Sequence, residues 1–487
     1  MGSAVAAPSV NQETKKKKYP YYIEKPLEEG RVQKFLEIFA AFLRHSNYKP
    51  LLEIYSRAST KCSRCANTCQ IYQATGDPKD IPCYRSNILL DIYRRHFTIG
   101  GWLRGRILGD PGLQEETIDE MLDTFYHCTG CRRCSLECPM GIDHGLMMRL
   151  TRNILSEMDI IPKALLVSVR EQLEGKTANT SAIPAPAMMD TCEFLEEELE
   201  ELTGHPIKFP IDQENVEYVF FPAVSDYLLE PDTLMGNAAV LYAAGDQDNW
   251  TIGSQYFDGI NYGLFYNDAI LGRIVEKEIA ETRRLKGKKI LIGECGHASR
   301  SAKAFAPTFN DGEEIPVISI QEYTLNAIEQ GKIELDPDAI GETVTYHDPC
   351  NIARSGWLVE QPRKILKSFV KNFVEMEPHG KANYCCGGGG GTVSVDEVYD
   401  YRMKVSGKIK ADQIRATGAE IVVAPCANCK KQLKELVEFY KIPATVVGLH
   451  DLILRALRLP PIDKSSEENN EQKSQEEQIL EGSGTHA

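Results

Sequence analysis

Apolar residues recur at helical spacing across residues 31–44, where Val32, Phe35, Leu36, Phe39, Phe42 and Leu43 fall on one face. The pattern predicts a helix whose apolar face either packs on its own domain or docks on a membrane subunit or bilayer surface. The lysine run at 15–18 would assist docking. Residues 88–95 read as a further helix. Residues 150–210 read as largely helical and turn acidic, with the glutamates at 196–201 forming a solvated face. From about residue 215 the pattern changes to short apolar runs that alternate with helical segments, which is βα architecture. The expected strands lie at 218–222, 239–243, 289–292, 316–320, 343–347, 420–424 and 444–447. Residues 1–30 and the polar tail from 463 to 487 have too few apolar positions to fold and are expected to be disordered.

The βα region repeats itself in degenerate form. The run from Val219 matches the run from Val344, Trp250 with its followers matches Tyr384-Cys-Cys-Gly-Gly, and the run from Ile290 matches the run from Ile421. One half therefore keeps five cysteines, and the other keeps only Cys295.

A chain of 487 residues predicts roughly two to four domains, each large enough for its own core. A net charge of -15 argues against nucleic acid as the main partner. No apolar run reaches the ~18 residues of a transmembrane helix, and no secretory signal is visible, so the thiols are expected to stay reduced. The 15 cysteines then carry the chemistry. A disulfide scaffold would be shorter, secreted and denser in cysteine, so metal is the better reading.

Cys128, Cys131, Cys134 and Cys138 followed by Pro139 make the bacterial [4Fe–4S] run, in which three thiolates cap one cube and the fourth points at a neighbouring cube. Arg132 and Arg133 are placed to balance cluster charge. An earlier set, Cys62, Cys65 and Cys69, fits the last three positions of the same run, with Ser59 at the first position and Gln70 in place of the proline. Crossed ligation puts Cys69 with Cys128, Cys131 and Cys134. It leaves Cys62, Cys65 and Cys138 one ligand short. Cys83, Ser59, a carboxylate or an open iron could complete that second cube. A buried structural thiol is the other reading of Cys83.

A third group joins Cys350, the pair Cys385-Cys386 and the pair Cys426 and Cys429. Its first and last elements follow expected strands, and loops after parallel strands gather at one sheet edge, where ligands bind. The glycine run 387–391, beginning with Gly387 and Gly388, allows close backbone approach and offers amides to a sulfide or an anion. Cys192 has no partner nearby in sequence and no expected role.

The spacing of this group resembles the CCG domain of heterodisulfide reductase catalytic subunits. The order of two ferredoxin motifs and then CCG domains resembles the fused D-type subunit, in particular the K subunit of the Dsr membrane complex and its Tmc and Hme relatives. The stretches Thr75-Gly-Asp-Pro78, Tyr126-His-Cys-Thr-Gly-Cys131, Gly293-Glu-Cys-Gly-His-Ala298, Tyr346-His-Asp-Pro-Cys-Asn351 and Tyr384-Cys-Cys-Gly387 carry the resemblance, across roughly residues 55–455. It implies an α+β and α/β chain: a tail and docking helix at 1–54, and a helical, bacterial-ferredoxin-like domain with two [4Fe–4S] clusters at 55–210. A degenerate CCG half at 215–335 and a complete half at 340–460 would follow, then the tail.

It further implies a noncubane [4Fe–4S] cluster on Cys350, Cys385, Cys386, Cys426 and Cys429, which would reduce or form a disulfide or trisulfide on a small protein partner. A cytochrome b-like or quinone-reactive membrane subunit would exchange the electrons, at the cytoplasmic face of the membrane. A pure electron relay is the alternative. Cys295 could face the special cluster, as an iron ligand or in a mixed disulfide with substrate. His297 and His347 are candidate proton donors, and Arg354 could hold an acidic partner or substrate.

Overall fold

Phe35 and Phe39 of the helix Arg31–His45 are fully buried, and Phe39 meets the Phe97 ring edge-on at 4.9 Å. In this computed structural model, which describes residues 29–309 and 314–459, the apolar face of that helix closes its own helical domain. The expectation that the same face docks on a membrane partner is corrected: its aromatics already have partners in the core. The lysine run and the two tails lie outside the described residues.

The expected helix at 88–95 is the centre of Pro82–Phe97. Thr98 then caps a second helix, Ile99–Leu108, by accepting from the Gly101 amide at 3.1 Å. This helix packs through its glycines. A Cβ on Gly101 would stand 1.9 Å from the Arg94 carbonyl oxygen, and one on Gly105 2.0 Å from the Arg95 guanidinium. Close approach on the glycine side turns the apolar side outward, so Ile99, Ile107 and Leu108 are 82%, 72% and 73% exposed and Trp102 is 57% exposed. An ordinary surface helix is oriented the other way.

The βα region holds two parallel sheets. In the first, β1 (Tyr218–Phe221), β2 (Trp250–Thr251), β3 (Lys289–Ile292) and β4 (Val317–Ser319) lie in the order β2-β1-β3-β4. After β5 (Glu334–Leu335), the second is built from β6 (Val344–Tyr346), β7 (Ile421–Val423) and β8 (Thr445–Val447) in the order β6-β7-β8. The chain end returns to the first half: β9 (Leu457–Arg458) pairs antiparallel with β5. The helix Pro231–Ala243 packs on Leu449–Ala456 so closely that a Cβ on Gly236 would meet the His450 carbonyl oxygen at 2.1 Å.

Two expectations change here. The segment 239–243 is the end of the helix Pro231–Ala243, not a strand. The helix is apolar all round because it is enclosed, and a short apolar run does not separate the two cases. The alignment of the halves also shifts. Tyr218 pairs with Trp250 and its amide donates to the Asn249 carbonyl, whereas Val344 pairs with Phe373 and its amide donates to the Asn372 carbonyl. Trp250 therefore corresponds to Phe373 and not to Tyr384.

Candidate iron–sulfur centres

The two ferredoxin-type loops share one backbone path. Lys61 and Ser63 have φ of 54° and 57°, and Gly130 and Arg132 have 64° and 61° at the matching positions of the second loop. Left-handed backbone at non-glycine residues persists where the surroundings over-determine it, and here it curls each loop around its sulfurs. Cys134 lies within electrostatic reach of Cys131, Cys128 and Cys69, and Cys69 within reach of Cys128. This is the crossed set expected from the spacing. Arg85, which sequence reasoning missed, stands beside it: its guanidinium is 3.9 Å from the Cys69 sulfur and donates to the Thr124 carbonyl at 3.0 Å. Nothing in a lone arginine on a helix pattern signals that position.

Cys62, Cys65, Cys83 and Cys138 line one small cavity together with Ser59, Pro139 and His144. Cys83 opens the helix Pro82–Phe97, and its amide donates to the Cys65 sulfur at 3.3 Å. The Cys65 thiol, donating to it, holds the Cys83 thiol below the ordinary range. The Ser59 hydroxyl donates to the Asn87 side chain at 2.8 Å. Among the candidates for the missing ligand, Cys83 brings a sulfur to the cavity, and the Ser59 oxygen is engaged elsewhere.

The five sulfurs of the third group converge where β6 and β7 end. Cys350 lies four residues past Tyr346, and Cys426 is the N-cap of the helix Ala427–Phe439, which places Cys429 in its first turn. Cys385 sits between Cys350 and Cys386, Cys386 touches Cys429, and Cys429 touches Cys426. Cys295, at the end of β3 in the other half, touches Cys426. The Gly387 amide donates to the Cys385 sulfur at 3.4 Å, and the Gly388 amide serves Cys386. Cys385, Cys386, Cys426 and Cys429 are buried and Cys350 is half-buried.

The His347 imidazole completes this group: one ring nitrogen and the Cys386 and Cys429 sulfurs lie within 4.8 Å of one another. Its Nε2 is buried without a hydrogen-bond partner among protein atoms. Burial, with Lys410 nearby, holds the ring well below its ordinary pKa. His297 is enclosed as well, with Nδ1 3.2 Å from the Cys295 sulfur and its ring stacked on Tyr262 at 5.6 Å. Free thiols facing one another around an unpartnered ring nitrogen fit an iron–sulfur centre.

Arg354 differs from expectation. It is buried and donates to the Cys131 carbonyl at 2.6 Å, the Asn383 carbonyl at 2.6 Å and the Lys381 carbonyl at 2.9 Å. It thus ties the ferredoxin loop to the CCG loop, and its second Nη has no hydrogen-bond partner among protein atoms. Arg133 is also a tie, donating to Thr68 and Ala382 carbonyls at 2.9 and 2.8 Å, while Arg132 pairs with Asp143.

Three further residues were not legible from sequence. Gln70, in the place of the usual proline, accepts from the Cys385 amide at 2.9 Å. Arg152 donates to Cys128 and Gly390 carbonyls at 2.7 and 2.8 Å. Lys410 donates to Asn383 at 2.7 Å, and burial lowers it to about 7. Only Gln70 left a trace, as a departure from the motif. The glycine run has a similar use, since a Cβ on Gly389 would stand 2.4 Å from the Thr129 carbonyl oxygen.

Comparison with known proteins agrees with this geometry. A cysteine-rich domain (CCG) model matches residues 344–434, and a 4Fe-4S dicluster domain model matches residues 60–142. An Hdr-like menaquinol oxidoreductase iron–sulfur subunit of Archaeoglobus profundus is 28% identical over 85% of this chain and 82% of its own. Iron–sulfur subunit 2 of the same enzyme in Archaeoglobus fulgidus is 29% identical over 91% and 86%. A dihydromethanophenazine:CoB–CoM heterodisulfide reductase chain of D type from Methanosarcina mazei is 25% identical over 82% and 93%. Over most of its length the chain is similar to Hdr-like menaquinol oxidoreductase iron–sulfur subunits and to heterodisulfide reductase D subunits. No solved structure matches it. The dicluster match precedes the CCG match, and both point to iron–sulfur clusters. Among the described residues no helix is long and apolar enough to cross a membrane.

Proposed function

We propose that the chain carries electrons between a membrane partner and a sulfur–sulfur bond. Two ferredoxin-type [4Fe–4S] clusters would be held by Cys62, Cys65, Cys83 and Cys138 and by Cys69, Cys128, Cys131 and Cys134. A noncubane [4Fe–4S] cluster would be held by Cys350, Cys385, Cys386, Cys426 and Cys429. The observation that carries this reading is the contact of the centres: Cys131 lies within electrostatic reach of Cys385, while Arg354, Gln70 and Arg152 hydrogen-bond across the same seam.

When bound, a noncubane cluster supplies electrons and an iron–sulfur face to a disulfide or trisulfide. Opening one S–S bond consumes two electrons and two protons and releases two thiols from a disulfide, or a thiol and a persulfide from a trisulfide; the reverse reaction returns them. Cys295 and His297 flank the Cys426 side of the centre, and Lys410, with its lowered affinity for protons, stands at the Cys385 side. Half-buried Cys350 is the side open to a small protein substrate.

The membrane side is assigned to the helix Ile99–Leu108. Its outward Ile, Leu and Trp residues with Arg104 and Arg106 combine apolar and cationic groups suited to an anionic bilayer interface and a cytochrome b-like or quinone-reactive subunit embedded there. The chain would then sit at the inner face of the cytoplasmic membrane. The relay reading draws on the burial of four of the five CCG cysteines.

Anaerobic iron and sulfide analysis with EPR, on wild type and on Cys385→Ser with Cys386→Ser, tests the proposal. About twelve irons per chain, with one signal lost in the double variant, is expected. About eight irons and unchanged spectra would reduce the chain to a relay with two cubes.

A further inference from the structure

His347 directly follows β6, and its amide donates to the Val423 carbonyl of β7 at 2.8 Å, so the second sheet fixes where the ring starts. The side chain is fully buried. One edge of the ring faces protein: the Asn383 side-chain nitrogen lies 3.4 Å from Nδ1. The other edge is left open. Nε2 has no hydrogen-bond partner among the described residues, and a ring nitrogen lies within 4.8 Å of the Cys386 and Cys429 sulfurs. Buried polar atoms are rarely left unpaired, so this one is owed a partner on the sulfur side.

The network behind Asn383 decides which ring nitrogen carries the hydrogen. Lys410 Nζ lies 2.7 Å from Asn383 Oδ1, meets Gln413 Oε1, and lies 3.5 Å from the Met376 sulfur. The Gln413 amide is held in place, because its Nε2 donates to the Pro378 carbonyl at 2.6 Å. An ammonium has three protons and no lone pair, and three acceptors surround this one. With one proton fewer the amine still has two for the two amide oxygens. Asn383 is therefore set with Oδ1 toward Lys410. Its NH2 group turns toward His347 Nδ1 and the Asp348 carbonyl, each 3.4 Å away. A donor facing Nδ1 leaves that nitrogen to accept, so the ring hydrogen sits on Nε2.

We propose that His347, held in the Nε2–H form by the Lys410–Asn383 pair, donates a hydrogen bond to a sulfur of the CCG centre and so raises its reduction potential. Hydrogen bonds to the sulfurs are one of the levers that set such potentials, and a donor favours the electron-rich, reduced state. The Gly387 and Gly388 amides already serve Cys385 and Cys386. His347 adds a side-chain donor on the side shared by Cys386 and Cys429. The ring is then a positioning residue that keeps its hydrogen while electrons come and go. An iron ligand would need a bare Nε2.

The proposal rests on the reading that the five cysteines hold an iron–sulfur centre, and the test separates the two. The full chain is loaded with iron anaerobically and carries histidine labelled with heavy nitrogen. The EPR signal lost in Cys385→Ser with Cys386→Ser marks the CCG centre. Pulsed EPR on that signal in wild type is expected to show one weakly coupled nitrogen and one proton that exchanges in deuterium oxide. Both should survive in His297→Gln and vanish in His347→Leu. Asn383→Asp puts a carboxylate oxygen against Nδ1 and should draw the hydrogen there, so the exchangeable proton is lost while the iron content is kept. At a fixed ambient potential the ratio of reduced to oxidised centre should fall at least tenfold in His347→Leu, a downward shift of about 59 mV for a one-electron couple. A strongly coupled nitrogen without an exchangeable proton would make His347 an iron ligand and overturn the proposal. Couplings that survive His347→Leu, a proton that survives Asn383→Asp, or an unchanged potential would also overturn it, and each leaves the proposed function standing. Absence of any signal that depends on the cysteine pair sinks the proposed function and this proposal with it. Where His347→Leu does not load iron, the wild-type spectra and Asn383→Asp decide on the same criteria.

Discussion

Replacing Gly389 with alanine tests whether the two cluster regions meet as a rigid joint. The added Cβ would stand 2.4 Å from the Thr129 carbonyl oxygen and 3.4 Å from the Cys385 sulfur. Favourable contact between heavy atoms begins near 3.5 Å, so the loops must part by about 1 Å. Gly389 is not among the positive-φ glycines, so the cost is steric and not conformational. Overpacking of this kind costs ~1–3 kcal/mol. For a cooperative unit of about 150–250 residues that lowers Tm by roughly 2–12 °C. Anaerobic calorimetry reads the shift, and rapid-freeze EPR reads the electron exchange between the ferredoxin and CCG centres, which is expected to slow because the parting occurs along that path. Gly100→Ala is the control. A Cβ there meets nothing within 4 Å, and its effect should be neutral or stabilising by up to about 1 kcal/mol. An unchanged Tm and an unchanged exchange rate in Gly389→Ala would show that the loops are not pressed together and would refute the reasoning.

Cys83→Ala is expected to remove one cube, seen as a loss of ~4 irons per chain with the other signals retained; full iron content would dismiss Cys83 as a ligand. Asp226 is fully buried with neither oxygen hydrogen-bonded, and burial raises its carboxyl to about 8. The native state keeps a proton that the unfolded chain releases near pH 4, so stability should fall as pH rises from about 4 to 8. Urea titrations should show Asp226→Asn losing less stability than wild type between those limits, and equal losses would contradict the assignment. The double change Trp102→Ser with Ile107→Ser should weaken binding to phosphatidylglycerol vesicles at least tenfold in a flotation assay, a loss of ~1.4 kcal/mol. Equal flotation of both proteins would remove the membrane assignment of that helix.

Cysteine spacing told most of the chemistry in advance, because ligand geometry is local: a thiolate at every third position curls around one cube whatever the rest of the chain does. The paired loops with Ser63 and Arg132 in left-handed backbone follow directly from that spacing. Strands such as Ile421–Val423 were legible for a similar reason, being short β-branched runs between turns. What escaped depends on segments far apart in sequence. Gln70 and Cys385, or Arg354 and Cys131, become neighbours only when the helical domain and the second sheet come together. The role of 239–243 was hidden because enclosure by other helices erases the one-sided pattern that marks a helix. The repeat register failed at Trp250 because an edge strand of two residues carries almost no pattern to align.

The inverted helix Ile99–Leu108 also bears on supply inside the cell. The free chain presents Ile99, Trp102, Ile107 and Leu108 to the solvent as exposed apolar surface. Such a face invites chaperones and proteases, and at high concentration it invites other copies of the same chain. The glycines that turn this helix outward therefore couple the lifetime of the free chain to the availability of whatever covers it.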